Sequence, residues 1–359
     1  MLSTDNMDQG IRSAEKDRVS SCPLADNVAQ ACIDKYKEVS GANSTESNQS
    51  VLAGIVATID DSALHVLCIA TGNKFTNRPK SDKDDADVIR DCHAEVLVRR
   101  AFKFWLLEEW KRLKSGDKQE ELYFTLSRDS RLVRRLGVRF FLYVSSAPCG
   151  NACIRRWGQS QKEIFEDSLG PLEMPLKPHE IFHAHAKKEG QTAISYKGDS
   201  DILSCSDKVL KWNVLGIQGT KLRSLVDYPI FFDGIVVGRK FVPVHSRRAF
   251  CCRLSTKNVS KSVREKVNHP VLMCSAVKYD TGVFRASEGE GATFDTQSMW
   301  WSGTFQEELD GCTGQRVGGE PSLLCHRAFC DIRSRHGIRG PPLEAIELRD
   351  TVKQELKHL

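Results

Sequence analysis

Three short stretches of this chain carry side chains of the kinds that hold a metal and move a proton: Cys92-His93-Ala94-Glu95, Ala147-Pro148-Cys149-Gly150 and Ser204-Cys205-Ser206-Asp207-Lys208. Zinc takes neutral imidazole and thiolate in a tetrahedral arrangement, and a catalytic site gives three positions to protein and keeps the fourth for water. His93 with two cysteines would supply those three. Water on such a metal loses its proton near neutral pH, which makes hydroxide available as a nucleophile. Glu95, two residues past the histidine, would take that proton and return it to the reacting group, beside the metal and not on it.

The elements that must position these residues can be read around them. From His93 to Lys114 the sequence is rich in helix formers with apolar positions at Val96, Ala101, Phe104, Trp105 and Leu107, which predicts a helix with Glu95 near its N-terminus. Phe140 to Ser145 is an apolar, β-branched and aromatic run, a buried strand that delivers Pro148-Cys149 at its end. Cys149 is expected to open the next helix, so that two helix N-termini point at one spot where their positive ends favour thiolate and hydroxide. Ser204 to Trp212 reads as a further helix start, with Ser206 as candidate cap for residues 207–213.

Elsewhere, residues 1–22 are polar and are expected to form a disordered tail, with 23–359 as a single domain. Leu24 to Val39 reads as an amphipathic helix, and Ser40 to Ser50 as a linker. Val51 to Ile59 and Leu64 to Ala70, separated by Asp60-Asp61-Ser62, predict a β-hairpin. Leu169 to Gly198 reads as an insertion, Tyr228 to Val237 as a strand, and Leu343 to Leu359 as a helix.

The 359 residues can bury a substantial core, and 40% hydrophobic with 28% charged residues is ordinary for a soluble globular protein. The polar opening stretch is no signal peptide and no apolar run suffices to span a bilayer, so the expected location is cytoplasmic or nuclear, not secreted, with no membrane partner. Thirteen cysteines then read as reduced thiols, some of them metal ligands. A net charge of +5 permits a polyanionic partner without demanding one.

Together, Asp91-Cys92-His93-Ala94-Glu95-Val96, Arg99-Arg100, Pro148-Cys149-Gly150 and Ser204-Cys205-Ser206-Asp207-Lys208 running into Lys211-Trp212-Asn213-Val214-Leu215-Gly216-Ile217-Gln218-Gly219 resemble the adenosine deaminase domain shared by double-stranded RNA editing enzymes and tRNA adenosine deaminases. The resemblance covers roughly residues 24–359. It implies a three-layer α/β cytidine-deaminase-like domain, with a central mixed sheet, helices on both faces and a helical C-terminal extension. Its implied chemistry is hydrolytic deamination of adenosine to inosine, with Zn2+ on His93, Cys149 and Cys205 and Glu95 as proton shuttle. A buried inositol hexakisphosphate is implied as well: Arg99, Arg100, Lys208, Lys211, Trp212 and Thr220 match its pocket positions, and Asp91 with Lys208 matches a relay to the metal. Asn73 and Lys74 are the substrate-pocket candidates. The chain departs from the family in its shorter C-terminal segment, where Lys353 and Lys357 are candidate substitutes.

Within that family, the lack of an upstream double-stranded RNA-binding domain and the Trp-Asn-Val-Leu-Gly wording point to the tRNA branch, which acts 3′ of the anticodon in alanine tRNA. The implied partner is thus tRNA and not DNA. Double-stranded RNA deamination, or a catalytically inactive RNA-binding subunit, are the alternatives. Other residues compete for roles. Cys153 is one residue too far for the Pro-Cys-x-x-Cys spacing of simpler deaminases, and reads as a packed thiol. Cys92 reads as a small buried hydrophobe. His183 with His185, Cys325-His326 with Cys330, and Cys251-Cys252 lack a complete four-ligand pattern and read as structural. Arg128, Arg131, Arg134, Arg135 and Arg139 are either a solvated face or a phosphate-binding patch, with Arg247-Arg248 and Lys187-Lys188 as weaker candidates.

Overall fold

Side chains alternate between the two faces of a β-strand, and both faces of the central strands here are apolar, which requires a layer of helix on each side. The computed structural model describes residues 22–41, 50–76, 86–116, 122–153, 203–256, 258–279 and 296–358. Helix α1 (Pro23–Ser40) leads into strands β1 (Leu52–Ile59) and β2 (Leu64–Thr71), which pair antiparallel as the expected hairpin. Then come helix α2 (Ala94–Lys114), a small separate hairpin of β3 (Phe124–Leu126) and β4 (Leu132–Arg134), and β5 (Val138–Val144). A 3-10 turn, Asn151–Cys153, follows.

Helix α3 (Cys205–Leu215) and a 3-10 segment, Thr220–Leu225, lie upstream of β6 (Gly234–Val237). Helix α4 (Pro243–Phe250), a 3-10 turn over Cys252–Ser255 and the one-turn helix α5 (Lys261–Arg264) lead to β7 (Val271–Cys274). Strands β8 (Gln297–Ser302), β9 (Phe305–Asp310) and β10 (Gln315–Arg316) come next, then helices α6 (His326–Arg335) and α7 (Leu343–His358). Eight strands form one sheet in the order β10-β9-β8-β2-β1-β5-β6-β7. The β5-β6 and β6-β7 pairs are parallel and the others antiparallel, so the sheet is mixed as expected.

Alternation assigns the layers. Phe140, Leu142 and Val144 of β5 share a core with Leu97, Ala101, Phe102 and Phe104 of α2, whereas Phe141 and Tyr143 turn to the other face and pack with Val28, Ala29 and Cys32 of α1. A third, smaller core joins Leu210 and Val214 of α3 to Val263 of α5 and to Val352 and Leu356 of α7. That cluster is the helical C-terminal extension. Among the described residues, no helix is long and apolar enough to cross a membrane.

Three expectations about elements are corrected. Cys149 opens no helix among the described residues, because only the Asn151–Cys153 turn follows it; residues 154–202, including the proposed insertion and His183, His185, Lys187 and Lys188, lie outside them. The strand expected from Tyr228 begins only at Gly234, since Ile230 spends its backbone N–H on Gln218 Oε1 and its carbonyl on the N–H of Ile217. Ser204, not Ser206, caps α3, which starts two residues earlier than expected. The expected tail, residues 1–22, lies outside the described residues except for Cys22, and the linker except for its ends.

Helix α1 crosses the sheet at Gly54, where an added Cβ would stand 2.3 Å from Cys32 Sγ. Gly54→Val should therefore destabilise the protein by about 1–3 kcal/mol through overpacking. In chemical denaturation, Cys32→Ala should recover much of that loss, and strict additivity of the two changes would contradict the contact.

Candidate active site

The site is built where two helices begin. His93 is the N-cap of α2, so its ring sits just ahead of the helix with Glu95 in the first turn. Cys205 is the first residue of α3. Cys149 lies in the turn after β5, between Pro148 and Gly150. The candidate ligand atoms of His93, Cys149 and Cys205 all lie within 4.8 Å of one another, although 56 residues separate each motif from the next. Cys205 donates its backbone N–H to Cys149 Sγ at 3.4 Å. Glu95 is 3% exposed, and its negative charge is felt by His93 and both thiols.

Each donor is oriented by neighbours. Asp91 Oδ1 accepts from the His93 backbone N–H at 3.0 Å and pairs with His93 Nδ1 at 2.6 Å, which leaves Nε2 as the ligand atom. A carboxylate behind a ligand histidine fixes the ring and strengthens it as a donor. Asp91 Oδ2 accepts from Lys208 Nζ, the relay pair expected from the sequence. Burial alone would raise the Asp91 pKa, but Lys208 and His93 hold it well below the usual carboxylate range. Burial likewise disfavours charge on His93, yet Asp91 outweighs it and raises the imidazole to about 9. The pocket thus stabilises positive charge at the ring, as a site for a dication must.

The thiols form a tightly coupled pair. A hydrogen bond from Cys205 lowers the Cys149 pKa against its own burial, with His93 assisting, whereas burial and then Cys149 push the Cys205 thiol well above its usual range. Two thiolates and an imidazole suit zinc better than they suit a hard cation such as magnesium. The donor set fits zinc.

Hydrogen bonds lock the two cysteine segments together. Ser204 Oγ accepts from the Asp207 N–H at 3.2 Å while Asp207 Oδ2 accepts from the Ser204 N–H at 3.1 Å, a capping box. Asp207 Oδ1 also pairs with the buried Arg253 guanidinium. Ser206 Oγ donates to the Pro148 carbonyl at 3.1 Å and accepts from the Ala152 N–H at 3.1 Å, so it spans the Cys149 turn. Gly150 lies against Ser204, where φ of +93° and a Cβ that would sit 2.3 Å from Ser204 Oγ exclude other residues without distortion. Cys153 turns away and donates its thiol to the Ala147 carbonyl at 3.1 Å. Cys92 is fully buried.

The substrate candidates lie beside this site. Phe75 bridges Asp91 in antiparallel fashion, and Cys92 donates its N–H to the Lys74 carbonyl at 2.9 Å, so Asn73 and Lys74 run alongside the histidine motif.

Cations gather on the inner sides of α2 and α3. Arg99 donates from Nε to the Ile217 carbonyl at 2.8 Å with its guanidinium 5.2 Å from the Trp212 ring centroid, and Arg100 donates to the Leu324 carbonyl at 2.8 Å. Lys103 is buried, and Lys211 is half-buried three residues beyond Lys208. Burial first, then repulsion among these cations, lowers Arg99 to about 9, Lys211 to about 7 and Lys103 well below its usual range. Lys353 is among the charges that lower Lys211. Thr220 opens the neighbouring 3-10 segment. Among the described residues, no ion pair joins Arg99, Arg100, Lys103, Lys211 or Lys221 to a carboxylate. Buried cations are costly without counter-charge, so the cluster fits a polyanionic ligand.

Sequence reasoning missed Lys103 and Lys221. Lys103 lies four residues beyond Arg99 and so on the same helix face, a usable signal. Arg253 and the double bond made by Ser206 had no local signal. The arginine patch, in contrast, is largely paired: Arg131 with Asp227 at 2.5 Å, Arg134 with Asp233 at 3.2 Å, and Arg139 with Asp61. Cys325 caps α6 by accepting from the Ala328 N–H at 3.3 Å, a structural role.

A three-donor metal site with a buried glutamate, on helices that flank a mixed sheet, defines a deaminase-like α/β domain. The family model for the adenosine-deaminase (editase) domain matches residues 68–333, and the chain belongs to that family. It is similar to the double-stranded RNA-specific editase B2 of Mus musculus, 28% identical over 344 residues covering 89% of this chain and 44% of the editase. It is 27% identical to the double-stranded RNA-specific editase Adar of Drosophila melanogaster, over 87% of this chain and 47% of that protein. It is also 27% identical to the Drosophila melanogaster tRNA-specific adenosine deaminase 1, over 59% of this chain and 55% of that protein. The chain thus spans less than half the length of the two editases.

Because Asp91 orients His93 and neutralises Lys208, Asp91→Asn should weaken zinc binding by about 10- to 100-fold. Competition against a chromogenic chelator measures this directly. An unchanged affinity would show that the carboxylate does not support the ligand.

Proposed function

We propose that this chain catalyses zinc-dependent hydrolytic deamination of adenosine to inosine in RNA, with tRNA, at the adenosine 3′ of the anticodon in alanine tRNA, as its substrate. The convergence of His93, Cys149 and Cys205 beside the buried Glu95 carries this reading. His93, Cys149 and Cys205 would hold a zinc ion, which would supply an acidified water at neutral pH. Glu95 would accept a proton from the attacking water and deliver protons to the adenine ring nitrogen and to the amino group leaving C6, so that water and adenosine give inosine and ammonia. Asp91 and Lys208 hold the histidine throughout.

An anticodon loop already exposes its bases unpaired, so a recessed glutamate can reach one with no pairing to break. That supports the tRNA reading, as does the similarity to tRNA-specific adenosine deaminase 1. A second reading, duplex RNA, is favoured by the wider span of the editase similarity, 89% of this chain against 59%. Arg99, Arg100, Lys103, Lys208, Lys211, Trp212, Thr220 and Lys221 would hold an inositol hexakisphosphate, whose phosphates would offset the charge gathered there.

Incubation with transcribed alanine tRNA and with an RNA duplex, scored as A-to-G changes in cDNA, tests the substrate. Conversion of the tRNA alone supports the first reading and of the duplex alone the second; conversion of neither, with metal bound, leaves a binding subunit. Glu95→Ala should abolish turnover with zinc retained, and Cys205→Ala should deplete zinc where Cys153→Ala does not. Acid extraction should release about one inositol hexakisphosphate per chain, and Lys211→Glu should destabilise by more than the ~0.5 kcal/mol of an ordinary surface change. Phosphate-free extracts would overturn the cofactor.

A further inference from the structure

A second group of metal-ligand side chains stands apart from the catalytic motifs. Cys251 follows the last residue of α4, Cys252 opens the next 3-10 turn, and His269 lies two residues before β7. Their candidate ligand atoms all lie within 4.8 Å of one another. Cys251 Sγ and Cys252 Sγ are 3.4 Å apart, and Cys252 Sγ is 3.9 Å from His269 Nδ1. Zinc bonds of about 2.3 Å to sulfur and about 2.0–2.1 Å to nitrogen in a tetrahedron require edges of about 3.8 Å between sulfurs and about 3.6 Å from sulfur to nitrogen. Those two spacings need changes of a few tenths of an ångström, and the spacing of Cys251 Sγ from His269, within 4.8 Å, needs to close by at most about 1.2 Å, within side-chain reach. A disulfide would need the sulfurs to close to about 2.05 Å.

The three residues are brought together by groups of their own. Asn213 of α3 is fully buried and holds both halves of the cluster: its Nδ2 donates to the carbonyl of Phe250, next to Cys251, at 2.8 Å, and its own carbonyl accepts from the N–H of Asn268, next to His269, at 2.7 Å. Asn268 Nδ2 donates in turn to the Phe232 carbonyl at 3.0 Å. The second ring nitrogen of His269 faces Ser255 Oγ at 3.5 Å, the outer partner that a ligating histidine uses to fix its tautomer. Cys251 is buried, Cys252 half-buried and His269 exposed, so a fourth position opens toward solvent.

From this geometry we infer a second, structural zinc site formed by Cys251, Cys252 and His269, with water completing the tetrahedron. Binding displaces the two thiol protons to solvent and leaves both sulfurs as thiolates, with no change in oxidation state. The ion cross-links the end of α4 to the approach of β7. That segment carries Arg253, which pairs with Asp207 in the cap of the Cys205 helix, and Arg248, which reaches Asn151 Oδ1 at 3.4 Å beside the Cys149 turn. The second metal therefore braces both cysteine-bearing elements of the catalytic site without touching substrate.

Elemental analysis of protein purified without a histidine tag tests this. About two zinc ions per chain are expected, falling to about one in Cys252→Ala or His269→Ala, and to about one in Cys205→Ala. In the Cys205→Ala background, cobalt substitution should still give thiolate-to-metal charge-transfer bands, and adding Cys252→Ala should remove them. If the catalytic centre holds no metal, the total is about one, lost with Cys252→Ala and unaffected by Cys205→Ala, which separates the two readings. Exposed His269 is unlinked to the core packing, so His269→Gln, checked for native circular dichroism, remains informative if a cysteine variant misfolds. Zinc content unchanged in both His269 variants, or an intact mass showing a Cys251–Cys252 disulfide in metal-free protein, would overturn the inference.

Discussion

The joint between the Cys149 turn and the first turn of the Cys205 helix is the constraint on which the site depends. Neither cysteine lies near the other in the chain, and neither lies near His93. Ser206 bonds across that joint to Pro148 and Ala152, while the Ser204-Asp207 capping box sets the direction of the helix. Arg253 anchors the capping aspartate from behind. These bonds satisfy helix N-terminal groups that would otherwise be left unpaired in a buried setting, so the geometry that satisfies the backbone is the same geometry that presents two thiols to one imidazole.

Asp91 links this joint to the interior. It is shared by His93 and Lys208, and Lys208 is one helical turn from Lys211, where the cationic cluster begins. Charge therefore runs in one line from the metal ligand through a carboxylate to a group of cations without carboxylate partners among the described residues. Repulsion within that group opposes folding, and a bound polyanion would reverse its sign. Folding and occupancy by such a polyanion would then be one equilibrium.

The far strands of the sheet contribute to the same cluster. Glu307 of β9 accepts from Trp300 Nε1 at 2.9 Å and from Ser322 Oγ at 2.6 Å, which fixes the loop whose Leu324 carbonyl holds Arg100. Trp300 is fully buried against the Phe104 ring. The β8-β9 hairpin, remote from every metal ligand in the chain, thus sets the position of one cation on the helix that carries His93.

Much was determined by the chain read alone. The first hairpin, the helix after His93, the strand before Cys149 and the final helix follow from local apolar periodicity, which survives folding because each element buries the face its own pattern defines. His93, Glu95 and Cys149 were identifiable for the same reason, since short motifs on regular elements carry their chemistry with them. Periodicity cannot say which distant segments meet. Cys205 was reached through the motif resemblance and not through periodicity, whereas the cap at Ser204, the pairing of the arginine patch with Asp61, Asp227 and Asp233, and the approach of His269 to Cys251 and Cys252 were decided by tertiary packing, because each depends on how segments meet in the fold.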